Sequence, residues 1–154
     1  MTTTSVRLRG IPDTEACVGW AGAHSVVVDR PEGKAGGKGL GFNGGQLLGL
    51  AIGGCFCNDL YYVAHEMGVR LSSVAVDVTV TFERNPLLAT SAVVQVAIES
   101  ADDNADLEAL VRKAEATSTV SNSISRGVPV RLSLQVPGSQ GDAVVATVPA
   151  RSAT

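Results

Sequence analysis

Aromatic residues are scarce in this chain. Three phenylalanines, two tyrosines and one tryptophan make up only 4% of its 154 residues. A core must therefore be assembled from Val, Leu, Ile and Ala. Cysteine is sparse as well, and an odd count of three (Cys17, Cys55, Cys57) excludes a closed disulfide framework. Neither sign of charge dominates: 12 basic against 15 acidic residues give a net charge of −3, and no Lys/Arg cluster exceeds a pair. The basic footprint of a nucleic-acid binder is missing, so no nucleic-acid partner is expected. Long hydrophobic runs are missing too. The longest, Leu47 to Cys57, ends on Asn58 and Asp59 and is too short to span a bilayer. Met1 to Trp20 holds no apolar segment with basic flanks and a small-residue cleavage site. These absences lead to the expectation of a soluble, cytoplasmic protein with no membrane partner, in a compartment that keeps thiols reduced.

What is present is a foldable composition. An apolar fraction of 45% with 18% charged residues argues against disorder, and 15.8 kDa suits one domain. Extended chain is expected at Val6–Gly10, Ala16–Trp20 and His24–Val28, followed by a glycine-rich loop from Pro31 to Gly45. A helical pattern runs from Gly44 to Met67, with Gly68 placed to stop it. The clearest strand follows, with Val74, Val76, Val78, Val80 and Phe82 on one face. Asn85-Pro86 marks a turn, and Ser91 to Glu99 supplies an antiparallel partner. Asp102-Asp103-Asn104 is expected to open a second helix closed by Gly127. Its stripe runs Leu107, Leu110, Val111, Ala114 and continues through Ser118 and Ser121. A last strand covers Val128 to Val136. The expectation is a single α+β domain with largely antiparallel sheet over residues 1–136, and a loosely ordered tail over 137–154.

The first helix poses a packing problem. Leu47, Leu48, Leu50, Ala51, Ile52, Cys55 and Phe56 surround it, and a helix apolar on every side is a buried helix. One subunit with two helices and short strands cannot easily enclose it, so a homodimer that shares its core is expected. Gly45, Gly49 and Gly53 also recur at every fourth residue, each costing about 1 kcal/mol relative to alanine inside a helix. Close approach of another backbone explains such a ridge. The expected neighbour is the second helix or a symmetry-related copy of the first.

Few residues offer chemistry. The glycine-rich loop lacks a strand leading into a compact G-x-G-x-x-G and has no G-K-[ST], so it reads as a loop rather than a phosphate cradle. Cys55 and Cys57 point roughly 200° apart on a helix, which excludes an intrahelical disulfide or a shared tetrahedral metal. His24 and His65 have no ligand partner at metal spacing, so neither a metal nor a cofactor is expected. Cys55 alone is either a small buried hydrophobe or a nucleophile. Gly53-Gly54 opens an approach to its sulfur, and Asn58 and Asp59 bring polar groups one turn later. A carboxylate opposes thiolate formation, so activation would need a cation from elsewhere.

Two stretches, Gly41-Phe42-Asn43-Gly44-Gly45-Gln46-Leu47-Leu48 and Ala51-Ile52-Gly53-Gly54-Cys55-Phe56, carry a resemblance. They are similar to the G-T-N-P-E-x-L and A-x-A-x-C-F segments of the osmotically inducible protein C / organic hydroperoxide resistance (OsmC/Ohr) family. The segments His24–Asp29, Gly68–Val74 and Ala114–Asn122 resemble that family in the same order. The resemblance implies an intertwined homodimer whose two central helices are wrapped by antiparallel sheets. It further implies reduction of a peroxide by a thiolate, through a sulfenic acid that a second cysteine closes to a disulfide. Cys55 stands at the position of the attacking cysteine.

The departures matter equally. Ser118 stands where the resolving cysteine belongs, and Gly45 replaces the loop glutamate. The activating arginine has no clear counterpart; Arg30, Lys34 and Lys38 are the nearest cations. Two readings follow. One is a one-cysteine thiol peroxidase that uses Cys55 and an external thiol or dithiol reductant. The other is a non-catalytic protein that binds a small apolar ligand at the dimer interface.

Overall fold

The computed structural model describes residues 1–134 and 144–147. Three strands, β1 (Arg7–Gly10), β2 (Cys17–Ala21) and β3 (His24–Val28), form an antiparallel meander in the order β1-β2-β3. The glycine-rich loop after β3 contains no regular element but is organised around Asp29, which is buried. Its carboxylate accepts the backbone N–H groups of Arg30 at 2.7 Å, Lys38 at 3.0 Å and Leu40 at 3.1 Å. Phe42 N–H donates to the Val27 carbonyl at 3.0 Å, which returns the chain to β3 before the helix begins.

Helix α1 runs Gly44–Met67. Asn43 starts it with a reciprocal cap: its Oδ1 accepts from Gln46 N–H at 3.0 Å, and Gln46 Oε1 accepts from Asn43 N–H at 2.9 Å. Gly68 ends it at φ +70°, a conformation that side chains disfavour. With 24 residues and a window of mean hydropathy 1.4, α1 is long and apolar enough to cross a membrane. Here its inner face, Ile52, Phe56, Leu60, Val63 and Ala64, is buried in the fold. Its other side is not enclosed: Leu50, Tyr61 and Tyr62 are 53%, 55% and 73% exposed.

The long hairpin of β4 (Leu71–Glu83) and β5 (Leu88–Ser100) lies under α1, with Val76 opposite Val96 and Val78 opposite Val94. Within the chain, the glycine ridge of α1 meets this hairpin and not the second helix. A Cβ added at Gly53 would sit 3.0 Å from Val78 Cγ2, one at Gly49 3.6 Å from Val80 Cγ2, and one at Gly45 2.9 Å from Phe82. Within the chain the ridge thus lets α1 settle onto the branched side chains of β4, which corrects the expected contact with the second helix.

The second helical region is two helices, α2 (Leu107–Thr117) and α3 (Thr119–Arg126), separated at Ser118. Helix α2 begins later than expected because Asp106 caps it, accepting from Ala109 N–H at 2.9 Å. Asp102 instead accepts from the backbone and guanidinium of Arg70. Leu110 and Ala114 complete a core with Phe56, Leu60, Val63 and Ala64. Burial of each large member contributes roughly 1.5–3 kcal/mol. Strands β6 (Arg131–Leu134) and β7 (Val144–Thr147) pair antiparallel. Four residues of the 137–154 stretch, expected to be a loose tail, are therefore a strand. Its other residues, and the end of the expected strand at 135–136, lie outside the described residues.

Candidate functional site

The break between α2 and α3 positions the site. Backbone dihedrals of φ −59° and ψ +111° at Ser118 interrupt the helical hydrogen bonding. The junction is tied down locally: Ser118 N–H donates to the Glu115 carbonyl at 3.3 Å, and Asn122 Nδ2 donates to the Ser118 carbonyl at 2.7 Å. The Ser118 side chain is fully buried and faces α1. Its Oγ donates to Cys55 Sγ at 3.9 Å and also lies 3.4 Å from Ser121 Oγ. Cys55 is half-buried, and on its other side its thiol donates to Asp59 Oδ2 at 3.5 Å. A row of four polar side chains, Asp59–Cys55–Ser118–Ser121, thus crosses from α1 to α3.

Three of the residues singled out in the sequence, Cys55, Asp59 and Ser118, come together here. The others do not. Asn58 is exposed and makes no hydrogen bond to the thiol among the described residues. Arg30 Nη2 pairs with Glu15 Oε2 at 2.6 Å on the surface. Lys34 and Lys38 are exposed in the loop, and Lys38 enters a described hydrogen bond through its backbone, to Asp29. Cys57 faces the other way, as its spacing requires, into a cleft of about 940 Å³ between α1 and β4 that Gly49, Gly53 and Val78 also line. All three cysteines are free thiols.

A second cleft, of about 600 Å³, opens between α1, β5 and the α2–α3 junction. Ile52, Phe56, Val94 and Ile124 give it an apolar floor, and Ser121 links its wall to Ser118 and so to the thiol. Sequence reasoning placed Ser121 on the helical stripe without assigning it to a site. It missed Asp29, although an aspartate entering a glycine-rich loop is a recognisable collector of backbone N–H groups.

A family model described as OsmC-like protein matches residues 36–133, more than half of the chain and the whole of this constellation. The chain belongs to the OsmC-like family. Solved structures agree on the fold. An OsmC-like protein of unknown function from Vibrio cholerae aligns with a TM-score of 0.69 at 12% identity, covering 79% of this chain and 93% of that one. An organic hydroperoxide resistance protein OsmC from Legionella pneumophila aligns at 0.58 and 24% identity, over 80% and 90% of the two chains. An organic hydroperoxide resistance protein from Elizabethkingia anophelis, with thiocyanate bound, aligns at 0.59 and 18% identity, over 82% and 90%. No curated protein matches the sequence. This OsmC-like protein therefore shares the α+β architecture of the family, with antiparallel sheets and three helices.

Proposed function

We propose that this OsmC-like protein is a thiol-dependent reductase of organic hydroperoxides, of one-cysteine type, with Cys55 as the attacking residue. The observation that carries the reading is the 3.9 Å contact between Cys55 Sγ and Ser118 Oγ, which brings the two positions of a thiol–disulfide pair together. The Cys55 sulfur attacks the terminal peroxide oxygen; the O–O bond breaks, the alcohol leaves with a proton, and Cys55 becomes a sulfenic acid. Ser118 supplies no second sulfur. An external thiol then condenses with the sulfenic acid, releasing water, and a second thiol reopens the mixed disulfide to regenerate Cys55. A reducing, cytoplasmic compartment fits the free thiols and supplies such a reductant.

The partner is a second copy of the chain. Leu50, Tyr61 and Tyr62 on α1, with Leu8 and Trp20 on the N-terminal sheet and Val6 just before it, are all at least 40% exposed in the single chain. That is more large apolar surface than a monomer normally leaves in water. Activation of Cys55 requires a cation, and Arg30 is engaged by Glu15 of its own chain. That engagement favours the second reading, in which the site binds a small apolar ligand without turnover. One test separates them. Stoichiometric cumene hydroperoxide followed by dimedone should add one dimedone adduct at Cys55, located by peptide mass. An unmodified Cys55 leaves the binding reading standing.

A further inference from the structure

The proposed reaction leaves one contact of the reacting sulfur unused. The Cys55 thiol donates to Asp59 Oδ2 at 3.5 Å, one turn along the same helix, and both side chains are half-buried. A carboxylate at this distance cannot coexist cheaply with a thiolate, because two like charges in a partly dehydrated site repel strongly. Its influence depends on what else faces the pair. On α1, Glu66 is engaged by Lys113 Nζ of α2 at 2.7 Å, and His65 is exposed further along the helix. Glu115 of α2 opens onto the 600 Å³ cleft, and the α2–α3 junction presents the hydroxyls of Ser118 and Ser121. On β4, Asp77 alternates with Val76 and Val78, which line the cleft against α1, so it belongs to the opposite face of the hairpin. Among the described residues no cation forms an ion pair with Asp59.

We propose that Asp59 is a brake on Cys55. It holds the thiol as a hydrogen-bond donor and releases the sulfur as a nucleophile only when its own charge is neutralised or paired. The site is then charge-gated: a cation brought to Asp59, by a ligand or by a second subunit, switches the thiol on. This rests on Cys55 being the reacting thiol of the proposed function, and it adds the residue that restrains it.

The test is the rate of iodoacetamide labelling of Cys55 as a function of pH, read by peptide mapping on the full chain. Asp59→Asn should speed labelling near neutral pH about tenfold, the order of effect that removing a neighbouring like charge has on a nucleophile. Asp59→Glu, which restores the charge, should return towards the wild-type profile. Superimposable profiles for wild type and Asp59→Asn, or slower labelling of the variant, overturn the proposal. Should Asp59→Asn fail to fold, the wild type provides the readout. Its Cys55 S–H infrared stretch, assigned by difference against Cys55→Ser, should lie below that of Cys17 because of the bond to a carboxylate. Coincident bands overturn the proposal. The labelling assay contains no peroxide. A null result beside intact peroxide turnover contradicts the brake alone, and a positive result without turnover contradicts the peroxidase reading alone.

Discussion

Cys55 Sγ and Ser118 Oγ face each other at 3.9 Å, one from the middle of α1 and the other from the break between α2 and α3. Replacing the oxygen by sulfur at that distance calls for a small adjustment to reach disulfide geometry. Ser118→Cys should fold, and mild oxidation should join it to Cys55, visible as a linked peptide pair after digestion. Closing a loop of this length should stabilise the oxidised variant by about 4 kcal/mol against its reduced form. Failure to bridge would show that the two helices do not meet at this register in solution.

Acidification should weaken the fold through Asp29 and Asp102. The backbone N–H of Leu40, with those of Lys38 and Arg30, holds the Asp29 carboxyl below the usual carboxylate range. The backbone N–H of Arg70 and then its guanidinium do the same for Asp102. A group whose folded value is lowered gives stability that is fully present at neutral pH. That stability is lost as the pH falls below the ordinary value of 3.8 towards the folded one. Urea unfolding between pH 7 and pH 2 should show the loss. Asp29→Asn should lower stability at pH 7 and flatten the acid limb. An unchanged limb would contradict the role given to the Asp29 cradle.

The glycine ridge predicts opposite outcomes at two neighbouring positions. Gly49 has room for a methyl group at an ordinary 3.6 Å from Val80. Gly49→Ala should therefore be neutral or gain up to about 1 kcal/mol from helix propensity. Gly53→Leu would drive a side chain into Val78, 3.0 Å from where its Cβ must sit, and should cost about 1–3 kcal/mol or more. Chemical denaturation checks both. Equal effects would mean that α1 does not rest on β4 through this ridge.

The exposed face of α1 predicts self-association. Sedimentation at micromolar concentration should give about twice 15.8 kDa. Leu50→Asp, at a position 53% exposed in the single chain, should shift the protein to monomer without unfolding it. A wild-type monomer would contradict the shared core.

Much of this fold was legible because its signals are local. The Gly44–Met67 helix carried its own stop in Gly68, and the valine alternation of β4 declared both strand and face. What escaped was decided by tertiary contact. The stripe Leu107 to Ser121 keeps helical spacing across Ser118, so periodicity could not reveal the break there. The ridge Gly45–Gly49–Gly53 announced a close approach but not its partner, since a valine face and a helix demand the same small residues. At the site, the family pattern put Cys55 and Ser118 in view, and helical spacing put Asp59 beside the thiol. Ser121 became a member only once the chain turned at Ser118. Arg30 is a candidate cation by its position in the chain, and nothing in the sequence reveals that Glu15 holds it.

Peroxide reduction by Cys55, as proposed, is read from turnover. Purified protein with cumene hydroperoxide and excess dithiothreitol should consume peroxide catalytically. Cys55→Ser should abolish that activity, while Cys17→Ser and Cys57→Ser should leave most of it. Ser118→Cys should raise dithiol-dependent turnover by restoring an internal resolving thiol. Peroxide loss in the wild type no faster than in Cys55→Ser would contradict the account.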